Sequence, residues 1–121
     1  MSTIPAAEDV LDRSYEVLTL PEVAQSVGLP VTRVHQMVRD YQLLAFRRDG
    51  VKVVPALFLN GEGVVKGLPG TLTVLRDAGF SVEESLRWLF EEDDSLPGSP
   101  IEALRGNRGR EVKRRAQALA F

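Results

Sequence analysis

The chain contains no cysteine and only one histidine. Disulfides, thiolate metal sites and a cysteine nucleophile are therefore excluded. His35 has no ligand-type partners at suitable spacing, so it cannot complete a metal site or a catalytic triad and reads as a surface residue. Neither a metal nor another cofactor is expected. No nucleophile–base pair and no phosphate-cradling glycine motif is present, so the sequence does not read as an enzyme. No apolar run approaches the ~20 residues that cross a bilayer. Met1-Ser2-Thr3-Ile4-Pro5-Ala6-Ala7-Glu8-Asp9 lacks both the basic start and the apolar stretch of a secretory signal. These absences together give the expectation of a cytoplasmic globular protein with no membrane attachment.

An excess of positive charge is also lacking, since the net charge is −2 over 121 residues. The charges are nevertheless segregated. Residues 31–60 hold Arg33, Arg39, Arg47, Arg48 and Lys52 against Asp40 and Asp49, and residues 100–121 are again basic. The segments between are acidic, ending in Glu91-Glu92-Asp93-Asp94, which has no calcium-loop spacing and reads as a solvated loop. Local field rather than net charge governs association with phosphate, so two basic blocks can act in an acidic chain.

The first basic block sits in a recognisable local pattern. Thr19 can cap a helix whose first turn holds Pro21 and Glu22, because proline lacks the donor that would go unused there and glutamate complements the helix dipole. Val23, Ala24 and Val27 share one face of that helix, over about Pro21–Val27. Gly28 stops it by taking a positive φ, and Pro30 restarts the chain at a helical φ. A second helix is expected over Val31–Asp40. Val34, Met37 or Val38, and Tyr41 face inward, leaving Thr32, Arg33, His35, Gln36 and Arg39 outside. Asp49-Gly50 is a two-residue hairpin turn between the strand-like stretches Leu44–Arg48 and Val51–Val54. Helix, turn, helix and hairpin in that order predict a winged helix-turn-helix.

Such a unit sets its second helix in a DNA major groove and its hairpin on the backbone. Arg33 and Gln36 are the candidate base-reading residues, because arginine and glutamine contact guanine and adenine bidentately. Thr32, His35 and Arg39 flank them, and Arg47, Arg48 and Lys52 are the candidate phosphate contacts of the wing.

The rest of the chain reads as helices. Leu68, Leu72 and Leu75 recur at helical spacing before Gly79, and Ser81-Val82-Glu83-Glu84 is a capping box ahead of Val82, Leu86, Leu89 and Phe90. Ser99-Pro100-Ile101-Glu102 caps a short helix. A last helix from about Arg110 places Val112, Ala116 and Leu119 on one face, with Arg108, Arg110 and Arg114 as candidate secondary DNA contacts. The expected fold class is mainly α with a small β-hairpin wing, a winged helix-turn-helix followed by additional C-terminal helices. The expected division is a flexible acidic tail over 1–14, the winged helix over 15–60, and a helical region over 61–121 packed on the same core.

Read together, several motifs resemble one family. They are Ile4-Pro5-Ala6 with Asp9-Val10-Leu11-Asp12, the helix-turn-helix, Val64-Val65-Lys66-Gly67-Leu68-Pro69-Gly70 leading into Leu72, Arg87-Trp88-Leu89-Phe90, and the terminal Arg114-Arg115-Ala116-Gln117-Ala118-Leu119-Ala120-Phe121. The chain resembles the small actinobacterial winged-helix DNA-binding proteins linked to a serine/threonine protein kinase. That resemblance implies double-stranded DNA as partner, a transcriptional role, and a kinase acting on the tail, where Thr3 is the candidate acceptor. Palindromic half-sites would suit a homodimer. A second resemblance, of Trp88-Leu89-Phe90 followed by Leu96 and Ser99–Arg105 to the toxin-binding tails of antitoxins, implies instead a C-terminal region that binds a protein partner.

Overall fold

A computed structural model describes residues 7–96 and 98–119. The elements run β1 (Val17–Thr19), α1 (Leu20–Val27), α2 (Val31–Arg39), β2 (Phe46–Arg48), β3 (Val51–Pro55), a single 3-10 turn (Ala56–Phe58), β4 (Leu59–Asn60), β5 (Gly63–Val64), α3 (Leu68–Asp77), α4 (Val82–Phe90), α5 (Pro100–Arg105) and α6 (Gly109–Ala118).

Local chemistry sets most of the helix ends. Thr19, Ser81 and Ser99 each close a capping box with Glu22, Glu84 and Glu102 respectively. Each box satisfies two backbone donors that a helix start leaves free. Gly28 ends α1 in the left-handed region at φ 71°, where glycine pays no Cβ penalty. Tyr41 lies past the end of α2 at φ 59° rather than on its inner face. Arg76 covers its ring at 5.1 Å, which ties the end of the helix-turn-helix to α3.

The main sheet is antiparallel in the order β1-β3-β2, with Val17 opposite Pro55 and Phe46 opposite Val53. β1 is not legible in the sequence: three residues ahead of a helix carry little strand signal, and the partner of Val17 lies 38 residues on. The short β4–β5 hairpin also went unread, as two-residue strands show no alternation.

One continuous core joins both halves, from Val23, Val34 and Phe46 through Phe58 and Leu68 to Leu89, Ile101 and Val112. Phe90 of α4 bridges it, stacking edge-on against Tyr15 at 4.8 Å and lying 5.8 Å from Phe58. Arg105 of α5 donates to the carbonyls of Leu57 and Leu59 at 2.8 and 2.6 Å, satisfying acceptors in the irregular stretch between the winged helix and the later helices. Leu119 was expected on the buried face of the last helix and is instead 41% exposed, because α6 ends at Ala118.

The segment expected as a flexible tail needs a correction over its described part, residues 7–14. Ala7 pairs in parallel with Phe46, and its carbonyl accepts from the Arg47 amide at 3.0 Å. Leu11 is buried in the core. A three-residue β2 leaves an open edge, and this segment covers it. No helix among the described residues is long and apolar enough to cross a membrane.

Candidate nucleic-acid interface

α2 packs through Val34 and Met37 and turns its other side to solvent. Thr32, His35, Gln36 and Arg39 are exposed and Arg33 is half-buried. None of these five side chains is in a hydrogen bond or salt bridge among the described residues. The helix thus presents two arginines, a glutamine, a histidine and a threonine unengaged by the protein. Its first turn carries no acidic residue that would repel phosphate. Leu29 and Val31 on either side of Pro30 are 40% and 38% exposed, which places apolar surface at the same end of the helix.

The wing turns at Asp49 and Gly50 with φ 52° and 79°, the two positive values of a type I′ turn. Across it Arg47 stands directly opposite Lys52, both exposed. Like charges in directly opposed positions destabilise a strand pair, and an anion between them would reverse the sign of that interaction.

Arg48 is not part of this cationic edge. Alternate residues of a strand point to opposite faces, so with Phe46 in the core and Arg47 outside, Arg48 turns inward. It is 9% exposed. Its guanidinium donates twice to Asp9, at 2.6 and 3.1 Å, and to the carbonyls of Tyr15, Leu11 and Asp12 at 3.0 to 3.3 Å. It also lies 5.4 Å from the Phe46 ring centroid. The hydrogen bond from Arg48 holds the Asp9 carboxyl below its ordinary pKa, against the opposing effect of burial, and Asp9 in turn raises that of Arg48. This pair fastens the N-terminal segment beneath the wing, and the Arg48 donors are committed to that segment. The strand alternation from Phe46 was the signal that could have shown it.

The same segment delivers a cation that sequence reasoning missed. Arg13 reaches Asp49 at the wing tip at 2.6 Å, with side chains 66% and 71% exposed. Its hydrogen bond and charge hold the Asp49 carboxyl low, so Asp49 stays ionised but neutralised. Nothing in a lone arginine within an acidic stretch points to a partner 36 residues away.

Of the carboxyl-terminal arginines, Arg108 is paired with Glu111 at 2.6 Å, while Arg110 and Arg114 are exposed on α6. Thr3 lies outside the described residues.

Two helices crossing over a glycine-ended turn, a three-stranded sheet and a cationic hairpin define a winged helix-turn-helix protein. The family model described as "DNA-binding protein Rv2175c, wHTH domain" matches residues 3–59, and the one described as "Rv2175c C-terminal domain of unknown function" matches residues 65–120. The chain belongs to this Rv2175c family. A relative named DNA-binding protein Rv2175c, from Mycobacterium tuberculosis (strain ATCC 25618 / H37Rv), is 44% identical over 134 residues, covering 100% of this chain and 92% of the relative. The NMR structure of Rv2175c superposes with a TM-score of 0.87 at 43% identity, covering 99% of this chain and 91% of that one. The agreement spans the helices after the wing as well as the winged helix itself.

Proposed function

We propose that this protein binds double-stranded DNA as a non-enzymatic, cytoplasmic transcriptional regulator, with α2 in the major groove and the wing on the flanking backbone. The observation that carries this reading is the unengaged polar face of α2, together with the opposed Arg47–Lys52 pair on the wing. Arg33 and Gln36 are the base-reading residues, with Thr32 and His35 beside them and Arg39 toward phosphate. Arg47, Lys52 and Arg13 make the wing contacts, and Arg114 of α6 is a secondary contact on a longer duplex. A homodimer on paired half-sites suits this geometry. A phosphate added at Thr3 by a serine/threonine kinase would bring about −1.5 to −2 charge to the segment ahead of Ala7, the residue whose carbonyl meets the Arg47 amide.

Anisotropy titrations on duplex DNA at several salt concentrations test the reading. Four or five phosphate-neutralising cations give a log–log slope between about −3 and −5, at roughly −0.9 for each. Arg33→Ala and Gln36→Ala lose ~1–3 kcal/mol on a selected site and much less on unrelated sequence. A flat salt response overturns DNA binding, and equal losses on every sequence overturn the assignment of Arg33 and Gln36.

A further inference from the structure

The carboxyl-terminal half holds a concentration of positive charge that the winged helix does not use. The chain entering α3 and the chain entering α6 run side by side, so closely that a Cβ at Gly67 would stand 3.8 Å from the Gly109 Cα and 3.2 Å from Leu104 Cδ2. Beside them opens a cavity of about 770 Å³ whose lining includes Lys66, Arg108, Arg110 and Lys113 against one carboxylate, Glu111. That carboxylate is already engaged, by Arg108 at 2.6 Å and Arg115 at 3.9 Å. Lys66, Arg110 and Lys113 have no acidic partner within 4 Å among the described residues. Cations gathered in one concave site raise each other's energy and focus a positive potential into it, in a chain whose acids outnumber its bases.

The glycines of the lining make a second, independent point. Gly70 and Gly109 sit in the first turns of α3 and α6, and neither has a positive φ. A Cβ at Gly70 would meet nothing within 4 Å, and one at Gly109 only Leu104 Cδ2 at 3.8 Å. Neither backbone conformation nor packing calls for glycine there, and glycine weakens a helix relative to alanine. Both positions leave bare main chain facing the cavity. The residues preceding the two helices, Gly67 and Arg108, make no side-chain cap, unlike those of α1, α4 and α5. At the start of α3 the Leu68 N–H donates to the Val65 carbonyl at 3.1 Å and Pro69 has no N–H, which leaves the Gly70 donor; at the start of α6 the donors of Gly109 and Arg110 are likewise left. Bare main-chain donors ringed by Lys and Arg suit a tetrahedral, multiply charged oxyanion. The volume falls within the range of pockets for small organic ligands and well above what one phosphate fills.

We propose that this cavity binds the phosphate group of a phosphorylated small molecule, with Lys66, Arg110 and Lys113 neutralising its charge and the main chain at Gly70 and Gly109 lying against it. The proposal is independent of the winged helix, so its failure leaves the DNA reading intact.

The test is a ¹⁵N-HSQC titration of the full chain with pyrophosphate and, separately, with ADP, at constant ionic strength held with chloride. Saturable shifts centred on the amides of Gly67, Gly70, Gly109 and Arg110 are expected. Affinity should fall roughly tenfold in Lys66→Gln and again in Lys113→Gln, as each removes a charge-assisted contact. Gly70→Ala has room for its methyl group, so it should melt at least as high as the wild type while losing affinity. Absence of saturable shifts with both probes overturns the proposal. So do identical titrations in all variants, or shifts at these amides produced by duplex DNA and by neither small anion.

Discussion

Replacing Arg48 with methionine separates the two arginines of the wing, which adjacent sequence positions make look alike. Methionine keeps the apolar stem but removes a guanidinium that makes five hydrogen bonds, two to Asp9 and three to main-chain carbonyls. Removing one partner of a fully buried ion pair costs ~3–5 kcal/mol. The Asp9 side chain keeps 17% of its exposure and would regain some water, so a loss of about 2–4 kcal/mol is the better expectation. For a chain of this size that lowers Tm by roughly 10 °C. Arg47→Ala, by contrast, should melt within about 1 °C of the wild type, as an exposed site away from the core. The assay is thermal denaturation of both variants by circular dichroism, with DNA titrations at a temperature where both are folded. Arg48→Met should lose stability and keep most of its affinity; Arg47→Ala should do the opposite. If Arg48→Met melts like the wild type and binds as poorly as Arg47→Ala, then Arg48 is a phosphate contact and the latch beneath the wing is wrong. The pH dependence follows from Asp9, whose folded pKa is depressed by the Arg48 hydrogen bond. The latch contributes its full stability above the unfolded carboxylate value near 4. That contribution is lost as pH falls through the lower folded value. The stability gap between wild type and Arg48→Met should therefore be constant near neutrality and narrow in acid, without closing, because the three bonds to main-chain carbonyls do not depend on Asp9.

A double-mutant cycle on Arg13 and Asp49 resolves what Arg13 does at the wing tip. If it contacts phosphate, Arg13→Ala weakens DNA binding even in the Asp49→Asn background and lowers the salt slope by about 0.9; if it only neutralises Asp49, its loss is silent there. Truncation after Gly63 should unfold the remaining chain, because Leu68, Leu72, Leu86 and Leu89 belong to the core that holds Phe46 and Phe58. A fragment 1–63 that stays folded by NMR and binds DNA would show that the winged helix does not need those helices.

The features legible in the sequence were those whose cause is local. The Thr19 cap, the capping boxes at Ser81 and Ser99, the glycine end of α1 and the Asp49-Gly50 turn each depend on residues within a few positions, so their chemistry is visible in the order of letters; Glu22 is expected there only as charge against the helix dipole, without the return bond that completes a box at Thr19. The inward face of α2 at Val34 and Met37 was also legible, because helical periodicity repeats over several turns. What escaped depends on partners far along the chain. The pairing of β1 with β3, the Arg48–Asp9 latch and the Arg13–Asp49 contact join residues more than 30 positions apart. The cavity at Lys66 and Lys113 arises in the same way, from two helix starts that only the fold makes neighbours.

The pairing of Ala7 with the outer strand of the wing bears on how the protein is handled at the bench. Any affinity tag or fluorophore fused ahead of residue 7 enters the molecule beside Arg47, within a few residues of the surface under study. A bulky or acidic fusion there would perturb the measured interaction without touching a proposed contact residue.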